Sequence, residues 1–134
     1  MEKQGLKADK LLEDFATWKA GDEYGHFYFG KDSAYGSPSV DGEKNVLRHV
    51  HLVPMNDLLA LERWKKDARR GSRKSSDRAL IYVADEKGNH LLIFILDDPG
   101  AHAIASMKNQ ADRETMRGFA EVAAEFLETG EILN

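Results

Sequence analysis

The segment Ala79–Asp98, ALIYVADEKGNHLLIFILDD, limits what this chain can fold into more than any other. Two apolar runs, Ala79–Ala84 and Leu91–Leu96, flank the polar stretch Asp85–His90. Within that stretch Gly88-Asn89 tolerates the positive φ of a tight reversal. Ile81, Tyr82, Val83, Ile93, Phe94 and Ile95 are β-branched or aromatic and suit strands. The segment therefore predicts a β-hairpin. In its second strand Leu92, Phe94 and Leu96 are as apolar as Leu91, Ile93 and Ile95. A strand apolar on both faces is covered on both. The hairpin is thus expected in the middle of the fold, with helices and other strands laid against it.

The flanking pattern supplies those elements. Ala8, Leu11, Leu12, Phe15 and Trp18 recur at helical spacing and predict a helix over Leu6–Ala20, closed by Gly21. Gly21–Lys44 reads as a long connector, too rich in glycine for a helix. Its aromatics Tyr24, Phe27, Tyr28, Phe29 and Tyr35 argue for order, and an ordered loop of this length is often functional. Asn45–Val53 reads as a strand with Val46, Val50 and Leu52 on one face and His49 and His51 on the other. Asn56 is the expected N-cap of a helix over Asp57–Arg69, with Leu58, Leu61 and Trp64 on its apolar face. After the hairpin, Pro99-Gly100 breaks the strand. A short helix over Ala101–Met107 carries His102, and a last helix runs from Asp112 to Thr129, closed by Gly130. The fold class expected is α+β: an antiparallel sheet of Asn45–Val53 and the hairpin 79–96, packed by N- and C-terminal helices. Its core should include Phe15, Leu52, Ile81, Ile93, Ile95, Phe119, Val122 and Phe126.

With 134 residues, one domain over 1–134 is the expectation, and the chain is long enough to bury a core. Cysteine is absent, which excludes disulfides and thiolate metal sites. MEKQGLKADK lacks the apolar stretch of a signal peptide, and no apolar run approaches the roughly 18 residues of a membrane span. These features fit a cytoplasmic protein. The formal net charge of −4 argues mildly against nucleic acid, but the charge is unevenly distributed. Arg63–Lys74, RWKKDARRGSRK, has seven cations and one anion. It ends in a Gly/Ser-rich loop, Gly71–Asp77, that leads into the hairpin. Such a run is a solvated face or a grip for a phosphate backbone.

The histidines admit three readings. His49 and His51 are a buried, satisfied pair, or acid, base or phosphate contacts, or metal ligands that would need a third such as His102. Asp32 and Tyr35 are the notable polar groups of the aromatic connector, and a turn or cap for one and packing for the other is their plain explanation.

In order, the chain presents Phe29-Gly30-Lys31-Asp32 with Tyr35, then His49-Val50-His51-Leu52, and Ser72-Arg73 leading to Leu80-Ile81-Tyr82. Leu91–Leu96, Pro99 with His102, and an Ala/Glu/Phe-rich last helix follow. This set, over roughly Lys10 to Phe126, resembles the YafO family of type II toxins in the RelE/ParE-like group. The resemblance implies a cytoplasmic toxin held by a cognate antitoxin and acting on the ribosome as an mRNA endonuclease, with no cofactor. It also implies a β-strand ahead of the first helix. Met1–Gly5 is too short and polar for one, which leaves a sheet edge a partner could cover. A net negative charge departs from the basic character common in ribosome-acting toxins.

Metal-free RNA cleavage needs a base for the ribose 2′-OH, an acid for the leaving oxygen, and cations for the phosphorus-centred charge. By that logic His49 and His51 are acid/base candidates, with His102 in reserve. Arg73 and Arg48 are candidate phosphate clamps, because a guanidinium binds two oxygens at once. Lys65, Lys66, Arg69, Arg70 and Lys74 would hold RNA or ribosome backbone. Tyr35 would stack on a base and Asp32 would orient a histidine. A non-catalytic binding or regulatory protein of the same fold, and a toxin directed at DNA gyrase, are the alternatives.

Overall fold

The computed structural model describes residues 8–20, 27–98 and 100–129. The elements are α1 (Ala8–Ala20), β1 (Phe29–Ala34), β2 (Arg48–Leu52), α2 (Leu58–Arg70), β3 (Ala79–Ala84), β4 (His90–Leu96), α3 (Ala101–Ala105) and α4 (Gln110–Thr129). The four strands form one antiparallel sheet in the order β1-β2-β3-β4. The expected α+β class is therefore found. The readings of Met1–Gly5, Leu6, Gly21, Tyr24, Pro99 and Gly130, and of the side chains of Ala8, Leu11 and Leu12, lie outside the described residues.

β1 is the main departure from expectation. The connector Gly21–Lys44 contains a strand, FGKDSA, which pairs with β2. Gly30 and the polar run after it conceal the strand, since only Phe29 and Gly30 in it are buried. Gly30 is needed for a close approach. A Cβ there would strike the Lys74 carbonyl and come within 2.8 Å of the Trp64 ring. Beside it the Lys31 amide donates to the Lys74 carbonyl at 2.8 Å, so the loop after α2 seals part of this sheet edge.

The hairpin forms as expected and joins β2 through β3, but it is not central in the sheet: β4 is an edge strand, covered by helices on its faces. The hairpin turn is held by Asp85, whose Oδ1 accepts the Lys87 and Asn89 amides, and Gly88 takes φ 87°. The missing alternation in β4 has a specific cause. Ile81 faces Phe94 but Tyr82 faces Leu92, so Ile93 is an extra residue in the ladder. This β-bulge resets the parity of the strand. Leu91 and Leu96 pack with α4, whereas Leu92 and Ile95 pack with α1.

Two cores result, one on each face. Phe15 and Trp18 of α1 pack with Phe29, Val50, Leu52, Leu80, Tyr82, Leu92 and Ile95. On the other face Ala101 of α3 and Met116, Ala120, Ala123 and Phe126 of α4 pack with Leu47, Ala79, Ile81, Val83, Leu91 and Leu96. Of the predicted core, Phe15, Leu52, Ile81, Ile95 and Phe126 are buried. Ile93, Phe119 and Val122 are half-buried at its margin.

α2 starts one residue later than expected. Its N-cap is Asp57, whose carboxylate accepts the Leu59 and Ala60 amides, and Gly71 at φ 66° ends it. Asn56 instead ties to Asp98, which accepts the Met55 and Asn56 amides while its carbonyl accepts the Asn56 side chain. Trp64 is the buried anchor of α2, its indole donating to the Phe27 carbonyl at 2.7 Å. Leu58 and Leu59 are not core residues: each is 81% exposed.

Candidate functional site

The alternation of β1 and β2 sends neighbouring residues to opposite faces. On the α3/α4 face it places Ser33 opposite His49, with His51 two residues along. Their Oγ and Nε2 atoms lie 3.2 Å apart. Tyr35 stacks on the His49 ring at 4.0 Å and 11°. The His51 ring follows at 5.6 Å, and the His102 ring stands edge-on to His51 at 5.4 Å. Three histidines from β2 and α3 thus form one row. They line a small cleft of about 20 Å³ with Tyr35, Ser76, Ala79, Ala101 and Ala105.

Each ring has different hydrogen bonding. His51 Nδ1 accepts the Ser76 amide at 2.9 Å. Ser76 is itself pinned, its hydroxyl donating to the Leu52 carbonyl at 2.5 Å. His102 Nδ1 meets Asp77 Oδ1 at 2.8 Å. Asp77 Oδ1 also accepts the His102 amide at 2.7 Å, and Oδ2 accepts the Gly100 amide at 2.6 Å. His49 Nδ1 is sealed from solvent without a hydrogen-bond partner among the described residues. Exposure differs between the rings: His49 is half-buried, His51 in the middle of the row is buried, and the His102 side chain at its end is 66% exposed.

Burial pushes both strand histidines down from 6.5 to about 4, and His102 and Lys31 add cationic repulsion to each. For His49 the nearby His51 lowers it further and Asp32 partly opposes. Both rings are therefore neutral at physiological pH. Burial would raise the Asp77 carboxyl, but hydrogen bonds from His102 and Gly100 bring it below its ordinary value. Among the described residues no three His, Asp or Glu side chains come together as a group able to hold a metal ion.

Asp32 and Arg48, both assigned to the site from sequence, lie on the opposite face. Asp32 accepts the Tyr82 hydroxyl at 2.6 Å and pairs with Lys19 at 3.0 Å and Arg48 at 3.4 Å. Arg48 Nε donates to the Tyr82 hydroxyl at 3.1 Å. Asp32 lies on the face opposite His49, His51 and His102, and Arg48 is committed to this network. Tyr35 stacks on His49 rather than presenting a free ring. Lys74 is buried, its ammonium 5.8 Å from the centre of the Trp64 ring, so it does not join the exposed cations. Arg73 is exposed in the loop, and Lys66, Arg69 and Arg70 are exposed on α2, where Lys65 reaches Glu62 at 3.5 Å.

Sequence reading missed Lys31, Ser33, Ser76 and Asp77. Recognising β1 as a strand would have found the first two, since Lys31 and Ser33 alternate with Asp32. Ser76 and Asp77 carried no signal, because their roles come from contacts with His51 and His102 across the fold. A wider groove of about 500 Å³ is lined by Pro54, Asn56–Ala60, Asp77 and Asp98.

An open four-stranded antiparallel sheet with helices before and after it, carrying a polar row on one face, agrees with the RelE-like class of small toxins. The sequence model of toxin YafO, of a type II toxin–antitoxin system, matches residues 16–128, and the chain belongs to that family. Membership implies a cognate antitoxin as partner. No curated protein and no solved structure matches the chain significantly. Among the described residues, no helix is long and apolar enough to cross a membrane.

Proposed function

We propose that this toxin is a cytoplasmic, ribosome-dependent mRNA endonuclease that cleaves through the ribose 2′-OH by acid/base chemistry of its own side chains. The observation that carries the reading is the row His49–His51–His102, held between Tyr35 and Asp77. Neutral imidazoles beside a cation suit proton transfer next to a phosphate. Lys31 stands close enough to repel both strand histidines, and Arg73 lies on the loop whose Ser76 binds His51. Arg73, Lys66, Arg69 and Arg70 provide the cationic surface for backbone contacts. The same surface suits an acidic antitoxin segment steered by opposite charge.

Cleavage on programmed ribosomes is expected to persist in EDTA at concentrations that leave ribosomes intact, and to leave a 2′,3′-cyclic phosphate. Arg73→Ala weakens both binding and rate. Loss of a proton-transferring histidine costs about 10²–10⁴ in rate. Full activity in His49→Ala, His51→Ala and His102→Ala alike refutes the site. In cells, expression without antitoxin arrests growth and depletes mRNA. Arrest with intact mRNA and damaged DNA points to gyrase, and no arrest points to a binding protein.

A further inference from the structure

The hydrogen bonds around the row distinguish its members. The Ser76 amide can only donate, so His51 Nδ1 must accept and the proton of the neutral ring sits on Nε2. His51 is thereby fixed as a hydrogen-bond donor from Nε2 and cannot take up a proton there. His102 has the opposite arrangement. Asp77 Oδ1 is an acceptor that already receives the His102 amide, so the ring places its Nδ1–H on the carboxylate and leaves the Nε2 lone pair open. His102 is also the one ring of the row with a mostly exposed side chain. His49 is half-buried, with Tyr35 stacked on its face and its Nδ1 sealed.

We propose that Asp77 is a positioning residue that fixes His102 as the general base of the cleavage, while Ser76 fixes His51 as a neutral donor to the phosphate. This rests on the endonuclease reading above. In the step, His102 Nε2 takes the 2′-OH proton as the 2′-oxygen bonds to phosphorus. The bond from phosphorus to the 5′-oxygen breaks, and that oxygen takes a proton from water. The imidazolium then returns its proton to solvent. Asp77 stays ionised throughout and stabilises the imidazolium, the role a carboxylate plays behind histidine in hydrolytic triads. His51 Nε2–H donates to a non-bridging oxygen, where charge develops. Asp77 comes from the loop before β3 and receives the amides of Gly100 and His102, so one side chain sets both the start of α3 and the ring it carries.

The test combines single-turnover cleavage on programmed ribosomes with ¹⁵N spectra of the histidine rings in the free, full-length protein. The wild type is expected to show His102 protonated on Nδ1 and His51 protonated on Nε2 at neutral pH. Asp77→Asn keeps an acceptor for the Gly100 amide when it turns its N–H toward the ring, and gives up the acceptor of the His102 amide. It should shift His102 toward the Nε2–H form and lower the rate by about 10²–10⁴, with ribosome affinity unchanged. His102→Gln should lower the rate comparably, and the double variant no further than either alone. Wild-type His102 protonated on Nε2, an undiminished rate in either variant, or additive losses would overturn the proposal. If Asp77→Asn does not fold, the wild-type spectra and His102→Gln decide. If the wild type does not cleave RNA, the endonuclease reading and the base role both fall. The ¹⁵N spectra then test the Asp77–His102 pairing alone.

Discussion

On the face under α1, Asp32, Arg48, Tyr82 and Lys19 close a network in which the Asp32 carboxylate meets three donors. On the face under α3 and α4, Ser33, His49, His51 and His102 form a row in which one nitrogen is sealed without a partner among the described residues and the two strand rings are held neutral. The same two strands supply both sets by alternation: Asp32 and Arg48 turn one way, Ser33 and His49 the other. The difference teaches how to separate scaffold from chemistry here. Satisfied opposite charges hold the edge of the sheet together. On the other face the mostly exposed His102 ring, tied through Nδ1 to Asp77, is the part of the row that the proposed chemistry uses.

The sharpest way to break this comparison is Asp32→Ala. Its carboxylate is only 11% exposed, and its loss leaves the Tyr82 hydroxyl and two cations without their acceptor. We expect about 3 kcal/mol of destabilisation, near the lower end for a broken buried pair because Lys19 and Arg48 keep access to water. Cleavage per folded molecule should stay within a few-fold of wild type. Urea denaturation and the ribosome assay measure the two quantities separately. A fully stable but inactive Asp32→Ala would return Asp32 to the site and dissolve the distinction.

Gly30→Ala probes whether β1 must keep its register for the two faces to be sorted. The added methyl would strike the Lys74 carbonyl, a backbone atom with little room to move, and crowd Trp64. A loss of about 1–3 kcal/mol is expected, the usual range for overpacking. Amide exchange should report weakened protection at Lys31, whose N–H donates to Lys74. Unchanged stability and protection would mean that β1 is not anchored there.

The pH dependence of stability tests the histidine side of the comparison. His49 and His51 titrate near 4 in the folded protein and near 6.5 when unfolded, so between those values the unfolded chain binds more protons. Their contribution is complete above pH 6.5 and is lost as pH falls toward 4. The urea midpoint should drop over that window in wild type and drop less in His49→Gln/His51→Gln. Equal slopes for the two proteins would show that the row is not held neutral.

Part of the candidate site is legible in the chain. His49 and His51 sit two apart in an apolar run, a spacing that puts both on one strand face. His102 follows a Pro-Gly break, which marks it as a residue at the entry to a new element. Read as loop, the segment Phe29–Ala34 groups Asp32 with the histidines, whereas as β1 it turns Asp32 to the opposite face. Without a strand there, nothing said that Asp32 and Ser33 face opposite ways. Lys74 was counted with its cationic neighbours, although the close approach at Gly30 draws its segment inward against Trp64.

By itself the sequence determined the periodic elements: the hairpin, the His-x-His strand, the basic helix and the long apolar-faced last helix. Local chemistry is enough for these, because side-chain spacing and turn residues act between near neighbours. Only the tertiary structure decided the parity of β4, since the bulge at Ile93 is defined by its partner strand. It alone also decided which nitrogen of each histidine is occupied. Ser76 lies 25 residues from His51, and Asp77 lies 25 from His102. Contacts across such separations leave no periodic trace in the chain, because they exist only once the loop before β3 has been laid beside β2 and α3.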